Sequence, residues 1–336
     1  RSSLSNLSIG PIQMTTKAIL LVGGKGTRLA PLTNNTPKPM LKVAGKPVTE
    51  HQIIKARDAG ITELVLATSY LAEVFEPYFG DGSNFGISIT YAIEKEPLGT
   101  GGAIANAARN LTLKDGESVV IFNGDVLSGH DLRAQIALHQ DKNADVTLYL
   151  TKVADPRAYG CVPIDSTSRV TAFLEKMENP VADTINAGCY VFRSSALSQI
   201  PTERVVSVER ETFPMLLESG SRVFGYLDQN YWIDMGTPQS FIKASRDLIL
   251  NPELSGATVG ISHGALIEDD VEIHPSAKVG DGSVISSGSK VGPDSRISGS
   301  IIGNRVQIAA GVEIHDSYIS SDLAIDSGQK IIGQIL

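Results

Sequence analysis

The sequence predicts an α/β chain in two parts: a sheet-and-helix domain over 14–250 and a short parallel β-helix over 263–336, joined by a linker at 251–262. Two observations predict the first part. Apolar runs of strand length alternate with segments of helical spacing, the order of βαβ units. Two of those strands also run straight into glycine-rich turns. The second part rests on one observation, a six-residue recurrence of aliphatic side chains from Ile267 to Ile331.

The run 17–22 is apolar after one charge and reads as a buried parallel strand. It runs straight into Gly23-Gly24-Lys25-Gly26-Thr27-Arg28-Leu29, then Pro31-Leu32-Thr33 and Thr36-Pro37-Lys38-Pro39. Closely spaced glycines leave backbone N–H groups uncovered, so such a turn can wrap a polyphosphate as an anion nest. Arg28 and Lys38 add positive charge to the same rim. A dinucleotide fingerprint would open a long helix, which Pro31 and Pro37 interrupt, and Gly26-Thr27-Arg28 breaks a Walker A pattern. A helix over 48–59 stopped by Gly60, a strand at 64–68 and a helix at 72–79 follow. The alternating run 87–93 is a half-buried strand. It leads to a second glycine-rich turn, Pro97-Leu98-Gly99-Thr100-Gly101-Gly102, before an alanine-rich helix over 103–110. Ligands of open α/β sheets sit outside the carboxyl ends of the strands, so the two turns are expected to line one cleft. At the end of the second strand, Glu94 offers a carboxylate that can accept both the imide and exocyclic N–H of guanine, with Glu96 as a competing candidate.

Strand 119–122 carries Asn123-Gly124-Asp125 at its end, where an acid suits a hard cation. A helix at 131–140 and a strand at 144–153 precede Tyr159-Gly160-Cys161-Val162. Strand 170–176 puts Glu175 and Lys176 at its edge, an acceptor for sugar hydroxyls and a compact cation for a phosphate. Strand 185–192 contains Asn186-Ala187-Gly188. A helix over 203–217, a strand at 223–227 and the aromatic run 231–235 bring in Asp234 before Gly236-Thr237-Pro238, and a helix at 241–250 closes the domain. In the tail, Ile267, Ile273, Val279, Ile285, Val291 and Ile297 recur every six residues. The pattern slips by one to Ile302, Ile308 and Ile314, and slips again to Ile319, Ile325 and Ile331. Three such hexads close one coil of a β-helix, with small residues such as Ala265, Ser283, Ser289 and Ser295 two positions before the aliphatics.

The string from Gly23 to Pro39 resembles the signature of sugar-1-phosphate nucleotidylyltransferases, whose catalytic domain is a Rossmann-like mixed sheet, and the tail resembles the left-handed β-helix of hexapeptide-repeat proteins. The resemblance covers nearly all of the chain after Met14 and implies a function for each motif. Leu21, Gly23, Gly24, Gly26, Thr27, Glu94, Gly99 and Thr100 would hold the nucleoside triphosphate, and Arg28 and Lys38 would flank the reacting phosphates. Asp125 and Asp234 would be Mg²⁺ ligands. Tyr159, Gly160, Glu175, Lys176, Asn186 and Gly188 would hold the sugar phosphate, although Met177 stands where the family usually has a proline. Within the family, Glu94 to Thr100 and the Asn186 strand are most similar to the GDP-mannose pyrophosphorylases, implying GTP and mannose 1-phosphate. Glucose- or heptose-phosphate nucleotidylyltransferases are the near alternative. A non-catalytic sugar-nucleotide-binding subunit is a further one, although Arg28, Lys38, Asp125, Lys176 and Asp234 are all present.

Composition bounds the rest. A net charge of −8 disfavours nucleic-acid binding through a broad basic face, and no apolar run reaches the ~20 residues of a membrane span. Cys161 and Cys189 cannot form a cysteine-rich zinc site and read as buried thiols in a reduced, cytoplasmic setting. The polar segment 1–13 is expected to be a vector-derived tail. Strand edges at the end coils of the β-helix suggest a homo-oligomer. Acyl transfer on the β-helix would want a catalytic histidine in a coil loop, and His263, His274 and His315 are present, but the coil is short for an acyl-donor cleft.

Overall fold

The computed structural model describes residues 15–336 apart from Lys25, Asn35, Tyr70, Leu71 and Glu203. The expected tail over 1–13 lies outside the described residues, as does Lys25 of the first glycine turn. The central sheet is built on β1 (Lys17–Leu21), flanked in parallel by β2 (Glu63–Thr68) and β4 (Ser118–Asn123), with β3 (Ser88–Ile93) outside β2. In register, Leu21 stands between Ala67 and Asn123, so three strands end on one line. The helices α1 (Val48–Asp58) and α2 (Gly99–Ala108) provide crossovers. Unbroken apolar runs at β1 and β4 match strands covered on both faces.

Beyond β4 come β5 (Val126–Ser128), α3 (Leu132–Asp141) and β6 (Val146–Lys152), then β7 (Gly160–Cys161) and β8 (Leu174–Glu175). The long β9 (Thr184–Arg193) pairs antiparallel with β4, β6 and β7, which makes the sheet mixed. After α4 (Phe213–Glu218), β10 (Val223–Leu227) returns parallel to β6, and β11 (Trp232–Asp234) pairs with β5 away from the main sheet. The closing helix α5 (Pro238–Leu250) is longer than expected. Thr237 and Ser240 form a capping box with proline in the first turn, so the helix starts three residues early.

Three other expectations change. The helix predicted at 72–79 divides into a tight turn at Ala72–Val74 and a short helix Glu76–Phe79. The strand predicted at 170–176 shrinks to β8, because Val170 bridges Ile164 and Lys176 turns away at φ +48°. The helix predicted at 203–217 begins as a wide turn at Val208–Thr212, capped by Ser207 before Pro214 sits in the first turn of α4.

The tail stacks three parallel sheets, one per side of a triangular coil. Ala265 pairs with Ser283, an 18-residue coil, while Val284 pairs with Ile301 and Ile301 with Tyr318, 17-residue coils. This places the one-residue slips where the sequence has them. The recurring aliphatics form one inward stack, with Ile285, Ile302, Ile314 and Ile319 fully buried. The small residues before them do more than save space. Ser289 Oγ donates to Gly303 O (2.8 Å) and accepts from Val306 N (3.0 Å), and Ser295 repeats this with Ala309 and Val312. Leu266, Val284 and Ile301 point outward into a core shared with Leu29, Val43, Met235, Phe241 and Leu248. The segment before the coil is docked rather than loose: Ser255 Oγ bonds His51 Nδ1 (2.6 Å), and Ile261–Ser262 pairs antiparallel with the first coil. Cys161 and Cys189 are buried free thiols, and burial pushes the Cys189 thiol up to about 12. Among the described residues no helix is long and apolar enough to cross a membrane.

Candidate active site

Two aspartates far apart in sequence meet at the ends of β4 and β11. Gly124 N donates to Leu21 O at 2.9 Å, folding the chain tightly over the end of β1. A β-carbon on Gly124 would stand 2.1 Å from that oxygen, so only glycine fits before Asp125. The β5–β11 pairing sets Asp234 opposite Val126, and Met235 N donates to Asp125 O at 3.1 Å. Lys38, itself buried, lies between the carboxylates: Nζ is 3.0 Å from Asp125 Oδ2 and 3.9 Å from Asp234 Oδ1.

Asp234 is electrostatically underserved. Burial and the charge of Asp125 raise its pKa, against the pull of Lys38, Arg28 and Lys176. Its Oδ1 is buried without a hydrogen-bond partner. A buried, unpartnered carboxylate oxygen beside a second, partly exposed carboxylate is a donor set that a cation would complete. Among the described residues no cluster of three or more His, Cys, Asp or Glu gathers as a metal cage. Two carboxylates suit a divalent cation that takes its other ligands from phosphate and water.

Above this floor opens a cavity of about 850 Å³. Its walls include Leu21, Gly23, Gly24, Gly26, Thr27 and Arg28 from the first turn and Glu94, Glu96, Gly99 and Thr100 from the second. Lys38, Asp125 and Gly236 line it too. Both glycine turns therefore face one cleft. The second turn differs from expectation because α2 already begins at Gly99. Gly101 N and Gly102 N both donate to Val206 O, at 2.8 and 3.3 Å, so these first-turn amides are engaged within the protein. Thr100 Oγ1 is likewise committed, donating to Glu209 Oε2 (2.7 Å) and accepting from Val208 N (2.9 Å). Glu94 is half-buried, its Oε2 accepts from Leu98 N (3.1 Å), and burial raises its pKa. Glu96 is exposed on the same wall.

The family model described as nucleotidyl transferase matches residues 17–250. The chain belongs to the nucleotidyl transferase family. It is similar to a mannose-1-phosphate guanylyltransferase of Mycobacterium tuberculosis, 48% identical over 298 residues, covering 88% of this chain and 82% of that protein. It is also similar to mannose-1-phosphate guanylyltransferase 1 of Arabidopsis thaliana, 34% identical over 94% of this chain and 86% of the relative. Among solved structures, HddC from Yersinia pseudotuberculosis superposes with a TM-score of 0.59 at 27% identity, covering 69% of this chain and 99% of that one. The same protein complexed with GMP-PN gives 0.58 at 26%, again over 69% and 99%.

In this nucleotidyl transferase none of the six residues expected at the sugar phosphate lines the 850 Å³ cavity, and Gly188 lines a second one. Glu175 pairs with Gly160 across β7–β8, and its pKa is raised by burial and then by Glu209, so the two acids lie near one another. Tyr159 packs edge-on against Trp232 (5.4 Å) and feels the charges of Asp234 and Arg28. Lys176 is exposed, 3.9 Å from Glu175 and within electrostatic reach of Asp234. Asn186 is used locally: Oδ1 accepts from Gly188 N (3.1 Å) and Nδ2 donates to Tyr190 OH (2.8 Å), which shapes the irregular stretch of β9. Glu209 and Ser69 also line the nucleotidyl transferase cleft and were not predicted. Glu209 sits in a charged segment, Val208-Glu209-Arg210-Glu211, with no motif of its own, and only its contact with Thr100 reveals it.

Proposed function

We propose that this nucleotidyltransferase joins GTP and mannose 1-phosphate to give GDP-mannose and pyrophosphate. The observation that carries the reading is the meeting of Asp125, Asp234 and Lys38 beside a cleft that Asp125, Lys38 and both glycine turns line. The names of the sequence relatives support the substrate pair.

The nucleophile is a phosphate-monoester oxygen of the sugar phosphate, already anionic near neutral pH because its second pKa is about 6. It attacks the α-phosphorus of the triphosphate, and pyrophosphate leaves. No general base and no covalent intermediate are needed, so catalysis consists of aligning two polyanions and neutralising charge as it moves to the leaving group. Arg28 and Lys38 serve the triphosphate and the departing pyrophosphate. Lys176 takes the sugar phosphate, Glu175 accepts from sugar hydroxyls, and Tyr159, Gly160, Asn186 and Gly188 shape that side. Gly23, Gly24, Gly26 and Thr27 with the segment Gly99-Thr100 cradle the nucleotide, and Glu94 reads the guanine edge through the oxygen not committed to Leu98. Asp125 and Asp234 would hold Mg²⁺, which when bound would supply positive charge to offset that of the phosphates.

Pyrophosphate release measured across GTP, dTTP, UTP and ATP, each with mannose 1-phosphate and glucose 1-phosphate, tests the assignment. Highest kcat/KM for GTP with mannose 1-phosphate is expected; preference for another pair would replace it.

A further inference from the structure

Helix α1 carries four consecutive polar residues, Thr49, Glu50, His51 and Gln52, all buried. Three of them reach backbone carbonyls of the two segments that bear the catalytic charges. Thr49 Oγ1 donates to Pro39 O (2.9 Å), and His51 Nε2 lies 2.8 Å from Val43 O, which can only accept, so this nitrogen carries the proton. Both carbonyls belong to the stretch that follows Lys38. Gln52 Nε2 donates to Asn123 O (2.7 Å) and Val126 O (2.9 Å), the two carbonyls that bracket Gly124-Asp125.

Gln52 is held for its donors: its Oε1 has no partner, and flipping the amide would turn that oxygen against two carbonyls. Behind the turn lies a second cavity of about 330 Å³, lined by Gln52, Asn123 and Val126 among others, so side-chain packing alone does not fix the turn from that side.

We propose that Gln52 is a positioning residue whose amide clamps the 123–126 turn and thereby sets Asp125 against Asp234 for the metal. This rests on the reading of Asp125 as a metal ligand. Ligand-orienting partners of this kind typically carry a 10–100-fold effect on metal affinity.

Gln52→Met removes both donors at similar volume. The Mg²⁺ concentration that half-saturates binding of a non-reactive GTP analogue, read by calorimetry on the full chain, should rise about tenfold. In the same variant kcat should fall while the KM for mannose 1-phosphate stays near wild type. Should the methionine variant fail to fold, Gln52→Asn, one methylene too short to reach both carbonyls, should show the same shift. Gln135→Met is the structural control, because Gln135 is also buried and donates to two carbonyls, Thr147 O and Cys189 O, away from the aspartates. It should lower the unfolding midpoint and leave the Mg²⁺ requirement alone; an equal shift there would overturn the clamp as mere loosening. Asp125→Asn separates the two readings. If it raises the Mg²⁺ requirement and neither Gln52 variant does, the clamp fails and the ligand assignment stands. If Asp125→Asn leaves the requirement unmoved, the ligand assignment fails and the clamp with it.

Discussion

Asp234→Asn keeps the side-chain shape and removes one charge. In the ligand-free protein that charge is a burden, because burial and Asp125 raise the pKa of Asp234. An acid whose pKa rises on folding holds its proton more tightly in the native state. Its ionised form therefore weakens the fold most above the folded pKa, and the penalty fades as pH falls from the folded pKa to the lower, unfolded one. Lys38 at 3.9 Å offsets part of this, by about 4 kcal/mol at an effective dielectric of roughly 20. The direction of the shift shows that the offset is incomplete. Asparagine should therefore leave the unfolding midpoint at neutral pH unchanged or higher. Turnover, followed by pyrophosphate release, should fall about 10²–10³-fold, the scale of one lost charge-stabilising contact. The deficit should be greatest at low Mg²⁺. Near-wild-type turnover at low Mg²⁺ would refute the ligand assignment, and a loss of activity matched by a loss of fold would refute the electrostatic reasoning.

Three further outcomes are expected. Gly124→Ala drives a β-carbon to 2.1 Å from Leu21 O, so the turn must move; thermal melts should show a loss of about 1–3 kcal/mol, with turnover reduced as well. Burial lowers the pKa of His51, His130 and His139, the last to about 4. Below pH 6.5 the unfolded chain takes up protons that the native histidines refuse, so stability should fall as pH drops from 6.5 toward 4 and His139→Gln should flatten that slope, read as unfolding midpoint against pH. Ser289→Ala strands the Val306 N–H inside the coil; a cost of about 1–3 kcal/mol in chemical unfolding is expected, with kcat/KM unchanged.

Much of this site is visible in the sequence because its parts sit where strands end. Asp125 and Asp234 each follow a short apolar run and precede a turn, so local pattern places them at a sheet edge. What pattern could not supply is how side chains are spent. Thr100 and Asn186 look like ligand contacts in the sequence, yet their polar groups bond Glu209, Val208, Gly188 and Tyr190. The helix expected from Ala103 starts at Gly99 because Val206 O, distant in sequence, accepts the early amides. Ile53, Ile54 and Ala56 mark α1 as an ordinary amphipathic helix, while the polar face of that helix finds its partners only once β4 and β5 are in place. The hexad serines read as small, and their bonds to the next coil appear only after stacking.

Leu266, Val284 and Ile301 come from successive coils, yet all enter the same apolar floor as Leu29 and Met235, neighbours of Arg28 and Asp234. The coil is therefore a wall of the catalytic half and not an appendage to it. Cutting the chain after α5 would strip that floor from beneath Leu29 and Met235, and so from beneath Arg28 and Asp234 beside them.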